Sequence, residues 1–354
     1  MEEDFTKAKE MCMPRTIIVG HRVLPRITEI CGELVPGTEI MIITGSDTYK
    51  VAGREVESIL TDDGYNVSMF KAGIADSDTV ANAVSAVMES GAKAIVAVGG
   101  GSKIDVGKIA AKTTRRPLIS VPTSASHDGI ASGRASLKSQ SGSSSVDAVV
   151  PSAILADTEV IVRSPYRLLA SGCADVISNK SAILDWELAR RMRNEELSTY
   201  AHTLALYSAE SIINNASLIR PDFEESVWTA VKPMIVSGIS MSVAGSSRPT
   251  SGSEHMFSHA LDVICPGKAL HGEQCGVGSI MMTYLHGGDW KRIRDALRTI
   301  GAPVNAKGLG ISPKDVLKAM TTAHRMRSDR FTILGDRGLS MDAAEAAAKE
   351  TKVI

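Results

Sequence analysis

The chain has 354 residues, of which 44% are hydrophobic and 22% are charged, and its formal net charge at pH 7 is −1. These values are typical of a globular protein with a sizeable core, organised as one large or two ordinary domains. The balanced charge and the aromatic content of 4% argue against a nucleic-acid-binding protein.

The cysteines and the N-terminus indicate a cellular compartment. The five cysteines are odd in number, irregularly spaced and without a CxxC pair, which favours a reducing environment over a disulfide framework. The N-terminal MEEDFTKAKE is acidic and polar, unlike a signal peptide, and no apolar run approaches the roughly 18 residues of a membrane-spanning helix. We therefore expect a cytoplasmic protein that does not insert into membranes.

Short apolar runs alternate with amphipathic stretches in the first half of the chain. Five of these runs predict strands: RTIIVG (15–20), EIMIITG (39–45), NVSMFKAG (66–73), AKAIVAVGGG (92–101) and PLISVPTS (117–124). Strands separated by helices of about 10 to 15 residues indicate βαβ units. The sequence thus predicts a Rossmann-like parallel sheet.

The fourth predicted strand ends in a glycine turn that opens a helix, VGGGSKIDVGK (98–108). Glycines allow close approach to the backbone, Ser102 is a candidate N-cap, and the helix N-terminus attracts anions. Three consecutive glycines favour a phosphate site, in which a side chain at Gly100 would block the phosphate. The alternative is a tight turn without a ligand. Neither GxGxxG nor a Walker A motif is present.

The fifth predicted strand ends in VPTSASHDGIAS (121–132), which places small hydroxyl residues and Asp128 on the following loop. Ligands of open α/β sheets bind at the carboxyl ends of the strands. Two successive strand ends with glycine or hydroxyl chemistry therefore suggest one extended ligand, such as a dinucleotide.

The character of the chain changes after the fifth strand. Residues 133–162 hold a Ser/Gly-rich centre between two β-like runs and predict a hairpin with an exposed loop. Long helical patterns follow at 178–196, 199–217, 222–246 and 289–301. We predict an α/β dinucleotide-binding domain over 1–163 and an all-helical domain for metal and substrate over 164–354, with a ligand site between them.

Three histidines lie close together in SGSEHMFSHALDVICPGKALHGEQCG (251–276). His255 and His259 share a helix face and match the spacing of a zinc-binding pair, whereas His271 follows a chain-breaking CPGK segment. Spacing alone favours His255 with His259. A carboxylate would complete such a site, and the candidates are Glu254, Asp262, Glu273 and Asp175.

Several motifs together resemble the iron-type polyol dehydrogenase superfamily: GGGSKIDVGK (99–108), PTSASHDG (122–129), GCADVISN (172–179), SRPTSGSEHMFSHALD (247–262) and ALHGEQCG (269–276). Within it, the chain is most similar to the archaeal sn-glycerol-1-phosphate dehydrogenase family, over about residues 15 to 325. The resemblance implies a dehydroquinate synthase-like fold and NAD(P)H-dependent reduction of dihydroxyacetone phosphate to sn-glycerol 1-phosphate, for archaeal membrane lipids.

The resemblance also implies a metal centre and a catalytic pocket. It assigns one zinc ion per subunit to Asp175, His255 and His271. His259 then becomes a pocket residue and a possible member of a proton relay, and Asp128 matches the substrate-side aspartate of the family.

The resemblance places NAD(P)H at the strand ends. The implied cofactor residues are Gly99, Gly100, Gly101, Ser102, Lys103 and Asp105 at the pyrophosphate turn, Thr123 and Ser126 near the pyrophosphate or nicotinamide, and Asp47 in TGSDT (44–48) near the adenosine. The family often has GDxxT where this chain has GSDTY. An acidic group there would repel the 2′-phosphate of NADPH, whereas Ser46 would not.

A phosphorylated substrate needs a cation. Arg248 precedes His255 by seven residues, and a guanidinium binds phosphate with two parallel hydrogen bonds. We expect Arg248 to hold the substrate phosphate. The alternatives are that it forms a structural ion pair, or that Lys180 or Arg163 binds the phosphate.

Three other functions are compatible with these motifs. They are a glycerol or other polyol dehydrogenase, a lyase of the 3-dehydroquinate synthase type and a binding protein on the same fold. The family resemblance also implies a homo-oligomer, either a dimer or an octamer.

Overall fold

The structure is a computed structural model that describes residues 10–139 and 142–354. Most of the acidic N-terminal segment and the predicted loop tip at residues 140 and 141 lie outside these ranges. The strands are β1 Thr16–Gly20, β2 Glu39–Thr44, β3 Asn66–Lys71, β4 Ala94–Gly99, β5 Leu118–Pro122, β6 Arg134–Ser139, β7 Gly142–Asp147 and β8 Ala153–Asp157.

The helices that accompany the sheet are α1 Ile27–Leu34, α2 Ser46–Thr48, α3 Arg54–Asp62, α4 Ser77–Glu89, α5 Gly101–Thr114 and α6 Thr158–Val162. Those of the second part are α7 Tyr166–Arg193, α8 Thr199–Asn214, α9 Glu224–Ala244, α10 Ser253–Ile264, α11 His271–Leu285, α12 Trp290–Ile300, α13 Ala306–Leu309, α14 Pro313–Thr322 and α15 Met341–Glu350. A π-helical turn, Tyr49–Gly53, joins α2 to α3, and short 3-10 turns span Leu24–Arg26, Asp128–Ile130, Ala216–Leu218 and Ala323–Arg325.

The predicted parallel sheet is confirmed and contains six strands in the order β1-β8-β5-β4-β2-β3. The sixth strand, β8, was not predicted, because the sequence pattern places its residues in an arm of the hairpin. β8 lies between β1 and β5 and is buried along its whole length, so it shows no alternation of polar and apolar residues. The hairpin arms are the more polar β6 and β7, which pair antiparallel.

Both faces of the sheet are covered. In β4, Ile95 and Ala97 enter one hydrophobic core, and Val96 and Val98 enter another, as the two-residue period of a strand requires. The first core continues without a break into the helical part, where it includes Phe257. The two predicted domains thus share one core.

The order of the strands creates a crevice at one edge of the sheet. The chain proceeds from β2 outward to β3 and then returns to the other side of β2 with β4. α3, which follows β2, packs in one core, and α5, which follows β4, packs in the other. The carboxyl ends of β2 and β4 therefore flank a topological switch point, where sheets of this type bind ligands.

The helical second part is also confirmed, with α7 in contact with α8, α9 and α11. α7 begins at Tyr166, about a dozen residues before its predicted start at 178. Residues 169–179 are all buried, and a helix that is buried all round lacks the amphipathic period that reveals a helix in sequence.

One helix, α9, is long and apolar enough to cross a membrane by length and composition. In the fold, 56% of its most apolar window is buried inside the protein. A core helix has the same properties, and α9 packs against α8.

Candidate active site

Four side chains with metal-binding atoms converge between α7, α10 and α11. The ligand atoms of Asp175, His255, His271 and Cys275 all lie within 4.8 Å of one another. Asp175 Oδ1 is 3.8 Å from His255 Nε2 and 3.7 Å from His271 Nε2. The structure therefore brings together the three metal ligands that the family resemblance implied.

Hydrogen bonds fix the orientation of both imidazoles. Nδ1 of His255 donates to Oε1 of buried Glu254 at 2.8 Å. Nδ1 of His271 is 3.1 Å from Oγ of Ser258, and that hydroxyl donates to Gln274 at 2.6 Å. The Nε2 atom of each ring is thereby directed at Asp175, an arrangement that prepares histidine ligands for a metal.

The carboxylate of Asp175 fits a bound cation. Its Oδ2 atom accepts from the backbone N–H of Asp128 at 3.1 Å, but its buried Oδ1 atom has no hydrogen-bond partner among the described residues. Buried polar atoms are nearly always paired, so an orphan carboxylate oxygen that faces two imidazole nitrogens is suited to a cation. Burial, and then the negative charge of Asp175, raise the pKa of Asp128 to about 7.

Spacing alone favoured His255 with His259 as ligands. Among the described residues, however, His259 lies outside the cluster of metal-binding atoms. Its ring centre lies 6.1 Å from that of His271, and its buried Nδ1 atom has no hydrogen-bond partner in the part of the chain that the structure describes. Burial, and then the positive charge of His255, lower the pKa of His259 to about 4. A neutral imidazole therefore lies beside the cluster at neutral pH.

The other carboxylates that the sequence offered have different partners. Glu254 orients His255 and also accepts from the backbone N–H of Gly252 at 2.6 Å. Glu273 binds Arg167 through two hydrogen bonds. Asp262 accepts from the amide of Gln274. Asp175 is the carboxylate that joins the two histidines.

A cavity of about 390 Å³ opens beside this cluster. It lies between the hairpin, the loop after β5 and the start of α10 and α11. Its charged and imidazole lining consists of Asp105, His127, Asp128, Arg134, Lys138, His255, His259, Asp262, His271 and Arg327. The cavity thus joins the predicted metal and catalytic residues to the glycine-turn side of the sheet.

The glycine turn lies at the switch-point edge of the sheet. Gly100 is the N-cap of α5, whereas Ser102, the predicted N-cap, accepts instead from the backbone N–H of Ala75 at 3.1 Å. A Cβ atom at Gly101 would lie 2.0 Å from His127 Nε2, but one at Gly100 would lie 3.0 Å from Ser124 Oγ. The tightest steric requirement is therefore at Gly101 rather than at Gly100.

His127, which sequence reasoning missed, connects the turn to the cavity. Its Nδ1 atom accepts from the backbone N–H of Gly129 at 2.9 Å, so in the neutral ring Nε2 carries the proton. That nitrogen faces Gly101 at the N-terminus of α5. Its position before Asp128 in the strand-end loop was the available signal.

Lys103 holds the neighbouring strand ends together. Its Nζ atom donates to the carbonyl oxygen of Gly73, and its side chain passes over Gly45 and Gly99. The backbone N–H of Thr123 donates to the carbonyl oxygen of Gly99 at 3.0 Å. These contacts connect the carboxyl ends of β2, β3, β4 and β5.

The remaining predicted cofactor residues differ in exposure. Asp47 is exposed on α2, directly after β2, and Ser126 is half-buried on the loop after β5. Asp105 is buried, and both of its oxygens have protein partners, Nζ of Lys108 at 3.3 Å and the backbone N–H of Ser136 at 3.1 Å. Asp105 therefore ties α5 to the hairpin.

The position of Arg248 corrects the sequence interpretation. Its guanidinium forms a two-pronged pair with Glu195 and donates to the carbonyl oxygen of Phe331 at 3.1 Å. It is not among the described residues that line the cavity. The alternative cations are also paired elsewhere, Lys180 with Glu210 and Arg163 with Glu159. A sequence gives no sign of Glu195 as a partner, because the two residues are 53 positions apart.

The cations that do line the cavity are Arg134, Lys138 and Arg327. Arg327 is held by Asp329 through two hydrogen bonds of 3.0 Å, and its positive charge acts on His259. Lys138 acts instead on Lys103 and Asp262. Arg327 is thus the cation at the metal end, and Lys138 lies toward the glycine turn.

Known proteins share this fold and sequence. The sequence pattern of iron-containing alcohol dehydrogenases matches residues 18–165. Solved structures with the same fold include a glycerol dehydrogenase from Schizosaccharomyces pombe, with a TM-score of 0.79, 18% identity and coverage of 98% of this chain and 92% of that one. An iron-containing alcohol dehydrogenase from Thermotoga maritima has a TM-score of 0.72, 15% identity and coverage of 98% and 100%.

These findings give the chain the fold of the iron-containing alcohol dehydrogenases and a resemblance to their sequence over residues 18–165. Much closer relatives are named glycerol-1-phosphate dehydrogenase [NAD(P)+]. One from Methanococcoides burtonii is 50% identical over 98% of this chain and 97% of its own length, and one from Methanothermobacter thermautotrophicus is 49% identical over 98% and 99%. The chain belongs to the glycerol-1-phosphate dehydrogenase family.

Proposed function

We propose that the protein reduces dihydroxyacetone phosphate to sn-glycerol 1-phosphate with NADH or NADPH. The observation that carries this proposal is one cavity that joins the donor cluster of Asp175, His255 and His271 to three cations. A metal held by the donor cluster suits a carbonyl oxygen, and the cations suit a phosphate. The names of relatives about 50% identical over nearly the full length support the same substrate.

Asp175, His255 and His271 would hold one zinc ion. Two imidazoles and one carboxylate are a donor set that zinc uses in catalytic sites. When bound, the zinc polarises the ketone oxygen as a Lewis acid, and the nicotinamide supplies the hydride. Glu254 and Ser258 keep the two imidazoles directed at the site through the hydrogen bonds described above.

Two cavity residues are suited to move the proton that the reduced oxygen needs. His259 is neutral at pH 7, and its Nδ1 atom has no protein partner among the described residues. Asp128 lines the cavity and is fixed by a hydrogen bond from Ser237 at 2.8 Å. We assign Asp128 and His259 to substrate positioning and proton relay, with water completing the path.

The dinucleotide would lie across the switch point. We assign its pyrophosphate to the turn Gly99–Lys103 at the N-terminus of α5, where backbone N–H groups face an anion. Thr123 and Ser126 extend this surface toward the nicotinamide, and Asp47 toward the adenosine ribose. Asp105 contributes by fixing α5 against the hairpin. The exposed carboxylate of Asp47 favours NADH, because it would repel a 2′-phosphate.

We assign the substrate phosphate to Arg327 instead of Arg248. Arg327 lines the cavity, and its charge is felt by His259. Asp329 holds the guanidinium by its Nε and Nη2 atoms, which leaves Nη1 to face an anion. A guanidinium fixed in this way matches the geometry of a phosphate.

The competing functions have less support. The solved glycerol dehydrogenases share the fold at 18% identity, which does not bear on the substrate. A lyase of the 3-dehydroquinate synthase type would regenerate its cofactor, and a binding protein would have no need of the donor cluster. We further propose that the protein is cytoplasmic and assembles as a homo-oligomer, either a dimer or an octamer.

The test is a comparison of substrates. Initial rates of NADH and NADPH oxidation are measured with dihydroxyacetone phosphate and with dihydroxyacetone, and the enantiomer of the product is determined by chiral analysis. We expect the phosphorylated ketone to be preferred and the product to be sn-glycerol 1-phosphate. Preference for the unphosphorylated ketone, or turnover without net consumption of NAD(P)H, would contradict the proposal.

A further inference from the structure

We infer that Cys275 is a fourth protein donor to the metal held by Asp175, His255 and His271, and that it binds through Sγ as a thiolate. The inference rests on the metal centre of the proposed function. It adds a sulfur ligand to a donor set that was otherwise made only of nitrogen and oxygen atoms.

The distances support a shared point of coordination. Cys275 Sγ lies 3.6 Å from His271 Nε2, and Asp175 Oδ1 lies 3.7 and 3.8 Å from the two imidazole nitrogens. In a tetrahedral zinc site, bond lengths of about 2.0 Å to nitrogen or oxygen and about 2.3 Å to sulfur place the ligand atoms roughly 3.5 Å apart. These three distances are close to ligand spacing, and all four ligand atoms lie within 4.8 Å of one another.

The helix explains why the sulfur reaches this point. His271 is the first residue of α11, and Cys275 follows four residues later on the same face. Side chains on a helix lean toward its N-terminus, so the sulfur is directed back over His271. Gly272 sits between them in the sequence and allows α11 to approach α7 closely, since a Cβ atom there would lie 2.0 Å from the carbonyl oxygen of Ser171.

The thiol leaves the access side of the site open. His255 and His271 line the cavity, whereas Cys275 and Asp175 are not among its described lining residues. Cys275 is also fully buried. The sulfur therefore lies on the side of the cluster away from the cavity, and the ketone oxygen would take a fifth coordination position on the cavity side.

Coordination by sulfur has a chemical consequence. Metal binding breaks the S–H bond, forms the metal–sulfur bond and transfers the proton to water. Thiolate is a soft ligand that favours zinc over metals that prefer oxygen. The same chain would then bind zinc more tightly, and select it better against magnesium or manganese, than a site with only Asp175, His255 and His271.

The experiment is zinc-edge X-ray absorption on the full-length protein with one equivalent of zinc. The variants are Cys275→Ser, which preserves volume, and Cys275→Ala. The matched control is Cys31→Ala, which removes a buried thiol from the other core. Zinc affinity is measured in parallel by competition with a chelator, and thermal unfolding reports whether each variant is folded.

We expect a zinc–sulfur shell at about 2.3 Å in the wild type and in Cys31→Ala, and its loss in both Cys275 variants. Zinc affinity should fall by at least about tenfold in Cys275→Ser, since loss of even an outer partner has that effect. Bound zinc with only nitrogen and oxygen neighbours in the wild type would overturn the sulfur ligand alone. A wild type that binds no zinc would overturn the metal centre as well.

Discussion

Two arginines near the candidate active site have different surroundings. Arg248 is 5% exposed and paired with Glu195, which is 33% exposed, whereas Arg327 lines the cavity. Each guanidinium binds a carboxylate through Nε and Nη2, but the Nη1 atom of Arg248 also donates to the carbonyl oxygen of Phe331, whereas the Nη1 atom of Arg327 has no such bond among the described residues. The local sequence around each residue does not distinguish them.

Replacement of Arg327 by Ala should separate phosphate binding from the rest of the reaction. We expect kcat/KM for dihydroxyacetone phosphate to fall about 30-fold, which corresponds to a loss of about 2 kcal/mol in transition-state binding. The weak turnover of dihydroxyacetone should be nearly unchanged, because that substrate has no phosphate to lose. Steady-state kinetics with both ketones provides the measurement. Equal losses for the two would remove Arg327 from the phosphate site.

Arg248→Ala is the matched control for this experiment. It breaks a largely buried ion pair, and we expect the free energy of unfolding to fall by about 1 to 3 kcal/mol. The partial exposure of Glu195 keeps the loss below that of a fully buried pair. Urea unfolding measures it, and any kinetic effect should be the same for both ketones. A loss confined to the phosphorylated ketone would restore the original assignment of Arg248.

Removal of the carboxylate that joins the histidines should remove the metal. We expect Asp175→Asn to lose most of the bound zinc, since the variant lacks the charged oxygen that lies 3.7 and 3.8 Å from the two imidazole nitrogens. Asp262→Asn changes a carboxylate that binds Gln274 instead, and it should retain zinc. Elemental analysis after dialysis compares the two. Full zinc content in Asp175→Asn would be incompatible with the proposed centre.

At the level of secondary-structure elements, the N-terminus of α5 shows how a turn and a loop depend on each other. The absence of a side chain at Gly101 makes room for His127. We expect Gly101→Ala to displace the imidazole, to lower stability by about 1 to 3 kcal/mol and to weaken NADH binding. Urea unfolding and fluorescence titration of NADH test both effects.

The double variant Gly101→Ala/His127→Ala is the control for this prediction. It removes the ring that the new methyl group meets, so stability should recover relative to Gly101→Ala alone. NADH affinity should stay low if His127 assists cofactor binding. An unchanged stability of Gly101→Ala would show that the turn has more space than the structure indicates.

The first turn of α14 gives a prediction about pH. Hydrogen bonds from the hydroxyl and then the backbone N–H of Ser312 lower the pKa of Asp315. A carboxylate whose pKa is lowered in the folded state stabilises the protein above its unfolded pKa of about 3.9, and that contribution is lost as the pH falls through the folded pKa.

The urea midpoints of the wild type and Asp315→Asn should therefore differ most at about pH 5 and converge toward about pH 3. Ser312→Ala removes the hydroxyl that donates to Asp315. This variant should therefore show a smaller pH-dependent effect of Asp315→Asn than the wild type does. A difference that is constant across this range would show that the charge of Asp315 does not stabilise the helix.

Elements with a periodic pattern were predictable from sequence, and buried ones were less so. The five predicted strands and the amphipathic α12 appear close to their expected bounds. β8 and the first half of α7 are buried on all sides, and they carry no alternation that distinguishes strand from helix or from loop.

The active site shows the same division. Spacing favoured His255 with His259 and left Asp175, on the buried part of α7, as one of four candidate carboxylates. The set Asp175, His255 and His271 was indicated by family resemblance. Cys275 and His127 depend on how α11 and the strand-end loop pack. A linear sequence does not contain these distances, because they arise when distant elements meet.

For the molecule as a whole, the sheet and the helices form one structural unit around the cavity. The shared core runs from the β4 strand to α10, so the proposed cofactor side and the proposed metal side belong to one packed unit. Hydride transfer depends on holding its two partners in a defined orientation.

Zinc titration of the metal-depleted protein tests the central claim most directly. The rate of dihydroxyacetone phosphate reduction by NADH is measured as zinc is added to protein that has been treated with a chelator. We predict negligible activity without zinc, a linear rise, and a plateau at one equivalent of zinc per chain. Full activity in the metal-depleted protein, or no activity at any level of zinc, would contradict the assignment of Asp175, His255 and His271 as the metal centre of this dehydrogenase.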